Sequence, residues 1–95
     1  MHEFFKALSS QQRLKLLRHL LELDEPICYC ELEDVIERDR SVVYRHLKKL
    51  EAVGLLETKR VGKRVECEVR DKAKVEKLLE LTNQLSNKEV NSNES

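Results

Sequence analysis

Apolar residues at helical spacing dominate the first part of the chain. Residues 3–8 predict a short helix, and a leucine-rich helix follows it after a pair of serines, which are favourable N-cap residues. Proline disfavours a helical conformation in the residue before it, so this second helix should stop ahead of Pro26. A brief extended piece is predicted at 27–30, and a short helix at 31–37.

A longer amphipathic helix is predicted after a polar turn at residues 38–40. It covers residues 41–53, with Asp39 or Ser41 as its N-cap and Gly54 as the left-handed residue that ends it. Three apolar side chains fall within a narrow arc and must face a core: Val43, Leu47 and Leu50. The opposite face of this helix is therefore available for another contact.

Strict alternation of apolar and polar residues appears only downstream of this helix. Two β-strands are predicted at 55–60 and 64–70, joined through a turn that contains Gly62. In the second strand the residues on one face are Val65, Cys67 and Val69, and those on the other are charged. The pattern indicates a hairpin with one face against a core, and it favours Cys67 as a small buried residue.

The last predicted element is an amphipathic helix at residues 72–86, followed by a polar tail at 87–95 that is expected to be disordered. Short helices followed by a basic hairpin are typical of a winged helix-turn-helix. The predicted fold is therefore α+β and mainly helical, with a two-stranded β-hairpin wing. Residues 1–86 are expected to form a single winged-helix domain.

Composition limits what this domain does alone. Apolar residues make up 40% of the 95 positions and charged residues 38%, so the core must be thin, and dimerisation would enlarge it. No stretch has the length of a membrane span, and the first residues lack the layout of a signal peptide, which predicts a cytoplasmic protein. In that reducing compartment the three cysteines are expected to be thiols or ligands rather than disulfides.

Positive charge is concentrated in the middle of the chain, although the formal net charge is zero. Residues 39–64 carry eight basic and three acidic side chains, which is the pattern expected of a nucleic-acid contact surface. Long donors on an outward helix face suit guanine edges and phosphates in the major groove, while cations around a hairpin tip suit the DNA backbone or minor groove. The residues predicted to contact double-stranded DNA are Arg40, Ser41, Val42, Tyr44, Arg45, Lys48, Lys49, Lys59, Arg60, Lys63 and Arg64.

Two other interpretations of this basic surface remain open at this point. It could be an ordinary solvated face, or the domain could be a winged-helix module that binds protein in a larger assembly. A protein-binding face is expected to be apolar at its centre, whereas Ser41, Arg45 and Lys48 are polar, which favours DNA. The sequence contains no recognisable glycine-rich phosphate loop, nucleophile triad or paired-carboxylate pocket. An enzyme is therefore not expected.

Several segments together resemble the ArsR–SmtB family of small regulators. Residues 41–50 are similar to the family's recognition helix, residues 51–56 to its junction between helix and wing, and residues 60–64 to its wing tip. Residues 7–17 are similar to its opening helix pair. The resemblance implies a homodimer built from the first and last helices, and repression of a palindromic operator that an effector relieves. The dimer contacts expected on this basis are Phe4, Phe5, Leu8, Leu78, Leu81 and Leu85.

Cysteines 28 and 30 occupy the two cysteine positions of a segment, residues 27–32, that resembles the family's metal-binding box. The resemblance implies a thiophilic metal ion as effector, since thiolates are soft ligands. Two sulfurs do not complete a tetrahedral site, so His2, Glu33 or water would have to finish it. The alternatives are a redox switch and a box that senses nothing. The family's other site, on the last helix, lacks its ligands here, and no cofactor is expected to be required.

Overall fold

The computed structural model describes residues 2–82, with the side chain of residue 2 excluded. The predicted dimer contact Leu85, the imidazole of His2 and the predicted tail at 87–95 therefore lie outside the described residues. The elements in chain order are α1 His2–Leu8, α2 Gln11–Leu21, β1 Ile27–Cys28, a 3₁₀-helix Tyr29–Leu32, α3 Glu33–Ile36, α4 Arg40–Ala52, β2 Leu56–Val61, β3 Arg64–Val69 and a last helix, α5, at residues 72–82.

Both ends of α4 are set by local capping residues that the sequence predicts. Asp39 is the N-cap, and its carboxylate accepts from the backbone N–H of Val42 at 3.1 Å. At the other end Gly54 has φ +80°, and its N–H donates to the carbonyl of Glu51 at 2.9 Å. The next N–H, of Leu55, donates to the carbonyl of Leu50 at 3.1 Å, which completes a Schellman motif. The predicted stop of the helix at Gly54 is confirmed.

The sheet has one strand more than the predicted hairpin. β2 and β3 form that hairpin, but β1 pairs antiparallel with the other edge of β3 and gives the order β1-β3-β2. Ile27 lies opposite Cys67, and Cys28 lies opposite Glu66. Two residues are too few to show an alternating pattern, so the extended piece was predicted without a partner strand. The helix predicted at 31–37 is likewise split, into the 3₁₀-helix and α3.

A single core joins all the helices to the inner face of the sheet. It contains Ala7, Leu8, Leu16, Leu17, Leu20, Leu32, Ile36, Val43, Leu47, Leu50, Leu55, Leu56, Cys67, Val69, Val75 and Leu79. The predicted arc of α4 and the buried position of Cys67 are thus confirmed. Leu8 is also buried in this core, so it has little surface left for the dimer contact expected of it.

No helix within residues 2–82 is both long enough and apolar enough to cross a membrane.

Candidate nucleic-acid interface

The outward face of α4 and the tip of the hairpin carry the residues predicted to contact DNA. All of them are exposed except Val42, which is half-buried: Arg40, Ser41, Tyr44, Arg45, Lys48, Lys49, Lys59, Arg60, Lys63 and Arg64. Arg45, Lys49 and Lys63 take part in no ion pair with any residue between 2 and 82. Their charges are therefore directed to solvent.

The first turn of α4 is ordered by its cap. The hydroxyl of Ser41 donates to Asp39 Oδ1 at 2.7 Å, beside the bond from the N–H of Val42 to the same oxygen. The Ser41 hydroxyl, followed by the Val42 N–H, holds the pKa of Asp39 below its usual value. The Ser41 oxygen can still accept a hydrogen bond, but its hydroxyl proton is already donated to Asp39.

Arg40 is held by two neighbours from the preceding segment. Its Nε donates to Glu33 Oε1 at 3.1 Å, and the carbon of its guanidinium lies 5.9 Å from the ring centroid of Tyr29. The same tyrosine meets Tyr44 edge to face, with 5.8 Å between ring centroids and 67° between ring planes. The chain just before α4 thus contacts two residues of its exposed face.

Glu51 fastens the helix to the hairpin. Its Oε2 accepts from both the N–H and the hydroxyl of Thr58 in β2, each at 2.8 Å, while Oε1 accepts from Lys48 at 2.9 Å. Burial raises the pKa of Glu51, but the bonds from Lys48 and Thr58 outweigh it, and the net pKa lies below the usual value. Lys48 and the wing strand therefore share one carboxylate, and this contact fixes the position of the wing relative to the helix.

The tip of the wing is a two-residue turn. Val61 and Arg64 are the last paired residues, and Gly62 and Lys63 connect them. Gly62 has φ +63° whereas Lys63 has no positive φ, as expected for a type II′ turn with glycine at its first central position. This tight turn projects Lys63 from the end of the hairpin. Arg60, which is also exposed, lies on β2 just before Val61.

Sequence reasoning missed the residue that supports α4 from behind. Arg13 is only 7% exposed; its Nε donates to the carbonyl of Ala7 at 2.6 Å and its Nη2 to that of Lys6 at 3.0 Å. Its Nη1 lies 3.1 Å from Nδ1 of His46 on α4. Burial, and then the charge of Arg13, lowers the pKa of His46 from its ordinary value. Because a guanidinium can only donate, Nδ1 of His46 is the acceptor of this bond. The residue type alone gives no signal of such burial.

The two box cysteines lie next to each other at the start of the 3₁₀-helix. The thiol of Cys30 donates to Sγ of Cys28 at 2.7 Å. Burial raises the pKa of Cys28, but hydrogen bonds from Cys30 and Arg64 outweigh it and leave the pKa lowered. Within residues 2–82 no group of three or more His, Cys, Asp or Glu side chains is arranged to hold a metal ion. Burial raises the pKa of Cys67 to about 12, and its thiol points to the carbonyl of Ile27 at 3.6 Å.

Comparison with known proteins assigns this architecture to a family. Among curated proteins, the cadmium resistance transcriptional regulatory protein CadC of Listeria innocua is 32% identical over 82% of the chain. The chain spans 64% of that protein's length. Among solved structures, reduced HlyU from Vibrio cholerae is 28% identical with a TM-score of 0.68, over 87% of this chain and 84% of that one.

A second solved structure shows the fold. The homodimeric winged helix-turn-helix DNA-binding domain (fragment 1–100) from Mycobacterium bovis is 20% identical, with a TM-score of 0.73 over 94% of this chain and 80% of that one. The protein therefore has a winged helix-turn-helix fold. The family model described as bacterial regulatory protein, arsR family, matches residues 10–58, which is half of the chain. The chain belongs to the arsR family of bacterial regulatory proteins.

Proposed function

We propose that the chain is a transcriptional regulator whose homodimer binds double-stranded DNA and represses from a palindromic operator. The observation that carries this proposal is the Glu51 contact, which holds α4 and the wing as one surface on which exposed cations from both elements lie. Membership in a family of regulatory proteins agrees with the expectation that the chain is not an enzyme. A regulator that binds DNA works in the bacterial cytoplasm, so that location is part of the proposal.

The chemistry of the exposed face supports DNA rather than protein as the partner. At its centre lie Arg45 and Lys49, long cations with no ion-pair partner in the described chain. A helix that enters the major groove uses such donors for base edges and phosphates, while a protein-binding face has an apolar centre. Phosphates beside the helix would meet Lys63 and Arg60 of the wing.

A direct test measures binding to the DNA upstream of the chain's own gene, by fluorescence anisotropy over a range of salt concentrations. We expect the logarithm of the affinity to fall linearly with the logarithm of salt concentration, with a slope of about −0.9 for each phosphate that a cation neutralises. A duplex of scrambled sequence is the control, and it should bind more weakly at every salt concentration. Affinity that does not change between low and physiological salt would contradict an electrostatic DNA interface.

Homodimerisation is supported by two large apolar side chains that the protomer leaves in solvent. Phe5 on α1 is 61% exposed and Leu81 on α5 is 50% exposed, on the two helices expected to form the interface. The domain from Mycobacterium bovis is described as homodimeric. A two-fold symmetric dimer presents two copies of α4 to two half-sites, which is why the operator is proposed to be palindromic.

We expect the double variant Phe5→Glu, Leu81→Glu to sediment as a monomer at concentrations where the unmodified chain is a dimer. Two carboxylates placed in an apolar interface would be buried without partners in each protomer. The matched control is Val61→Glu, because Val61 is 45% exposed but lies on the wing. If the double variant keeps the dimer mass in analytical ultracentrifugation while Val61→Glu also does, the interface lies elsewhere.

We also propose that an effector acts through Cys28 and Cys30. Cys28 and Cys30 supply two sulfurs, and the described residues place no third ligand beside them, so they do not form a complete site for a thiophilic ion. CadC is a cadmium resistance regulator, but this chain spans only 64% of its length. The two thiols themselves, 2.7 Å apart, are the groups on which an effector would act.

A further inference from the structure

The two box cysteines are placed to react with each other. Their sulfurs are 2.7 Å apart, and a single residue, Tyr29, separates them in the chain. Cys30 is partly exposed and Cys28 is buried, so a small reagent reaches the pair from one side. Cys67, the remaining cysteine, is buried in the core with its thiol directed to a backbone carbonyl, which leaves it outside this chemistry.

The residue between the two sulfurs is also the one that contacts α4. The Tyr29 ring packs edge to face on Tyr44 at 5.8 Å and lies 5.9 Å from the guanidinium of Arg40. Both partners are exposed residues of the face proposed to bind DNA. A change in the backbone at Tyr29 therefore reaches that face through two direct contacts.

We propose that Cys28 and Cys30 form a reversible disulfide when a hydroperoxide oxidises them, and that Tyr29 transmits this event to α4. The inference rests on the proposed DNA-binding function for its consequence, but not for its chemistry. A disulfide demands specific torsion angles at both cysteines. Because a single residue separates the two sulfurs, we expect closure of the S–S bond to turn the Tyr29 backbone and to move its ring away from Tyr44 and Arg40. The oxidised protein binds its operator more weakly.

The reaction balances without any further reagent. A thiolate of the pair attacks one oxygen of the hydroperoxide, the O–O bond breaks, and a sulfenic acid forms as hydroxide or alkoxide leaves. The second thiolate attacks the sulfenic sulfur, the S–S bond forms, and the S–O bond breaks with loss of hydroxide. The two sulfurs lose two electrons, the peroxide gains them, and the two thiol protons end in the two products. Two thiol groups of a small reductant reduce the disulfide by exchange, pass their protons to Cys28 and Cys30, and end as a disulfide themselves.

The intrinsic fluorescence of the chain reports on formation of the disulfide. It has two tyrosines and no tryptophan, so its intrinsic fluorescence comes from Tyr29 and Tyr44, the two rings in contact. We expect hydrogen peroxide to change this emission and dithiothreitol to restore it. In a tryptic digest the peptide of residues 19–38, which holds both cysteines, should lose two hydrogen masses, while the peptide of residues 65–70 with Cys67 should not.

Operator affinity tests the coupling. Oxidation should weaken binding about tenfold, the loss expected when one aromatic pair and one cation–π contact no longer order the face. Cys67→Ala should keep this response, and the separate variants Cys28→Ser and Cys30→Ser should lose it. Tyr29→Ala should still form the disulfide but show equal affinity in both redox states, while Tyr29→Phe, which keeps the ring, should respond like the unmodified chain.

The outcomes separate the two proposals. If the reduced chain does not bind the upstream DNA, the proposed function fails, yet the mass and fluorescence changes still decide whether the disulfide forms. A peptide 19–38 that keeps its mass under peroxide overturns the redox inference. A disulfide that forms without changing either affinity or tyrosine emission overturns the role of Tyr29, as does a Tyr29→Ala variant whose affinity still responds to oxidation.

Discussion

Replacing Arg45 with alanine is expected to lower operator affinity by ~10- to 100-fold, which corresponds to the loss of one bidentate contact to a guanine edge. Arg45 lies in the middle of the exposed face of α4 and has no ion-pair partner between residues 2 and 82. Its guanidinium is therefore available to a base without first breaking a bond. The measurement is fluorescence anisotropy with the operator and with duplexes changed at one base pair each.

The matched control for Arg45 is Lys63 at the wing tip. Lys63→Ala should weaken binding to the operator and to altered duplexes by similar factors and reduce the salt slope by about one phosphate, because a lysine at that place contacts the backbone. Arg45→Ala should instead bind the operator and one altered duplex about equally well. If Arg45→Ala weakens all duplexes by the same factor, Arg45 contacts phosphate and the specificity comes from another residue.

Replacing Arg13 with alanine is expected to lower the free energy of unfolding by about 2–4 kcal/mol, enough to reduce the melting temperature by more than about 10 °C in a domain of this size. The guanidinium donates to the carbonyls of Ala7 and Lys6 and to Nδ1 of His46. Its removal leaves the Ala7 carbonyl and Nδ1 of His46 without this donor, while the Lys6 carbonyl still accepts from Ser9. It also opens a cavity, since Arg13 is almost fully enclosed. Thermal and urea unfolding followed by circular dichroism measure the loss.

Two further variants show whether the hydrogen bonds of Arg13 or its bulk matter. Arg18→Ala, at an exposed position of the same helix, should change stability by less than about 0.5 kcal/mol. Arg13→Lys keeps the charge but loses the planar fork that meets three acceptors, so it should recover only part of the stability. An Arg13→Ala variant as stable as Arg18→Ala would show that water replaces the guanidinium at no cost.

The sequence predicts the face of α4 well because each of its determinants is local. The cap at Asp39, the glycine at position 54 and the spacing of Val43, Leu47 and Leu50 are all fixed within one helix, and the structure has them as predicted. The hairpin follows from alternation and a glycine turn, which are local too. The element lengths and the outward residues could therefore be read before any tertiary contact was known.

The features that the sequence does not reveal are those made between distant segments. The third strand needs β3 to come alongside two residues that carry no pattern of their own. Arg13 is buried because α1 folds back over it and α4 supplies His46, 33 positions away. The contacts of Tyr29 with Tyr44 and Arg40 depend on where the 3₁₀-helix meets α4. Charge and hydropathy patterns along the chain do not predict such tertiary contacts.

The internal pairs of Arg40 with Glu33 and of Lys48 with Glu51 affect how the regulator would search a chromosome. On nonspecific DNA, a phosphate must compete with Glu33 for Arg40 and with Glu51 for Lys48. These two cations therefore add little to nonspecific binding. At the operator the other protein–DNA contacts form at the same time, and they bring phosphates close enough for Arg40 and Lys48 to exchange their carboxylate partners for DNA. Since random sites outnumber operators by many orders of magnitude, a weak hold on the wrong ones shortens the time to the right one.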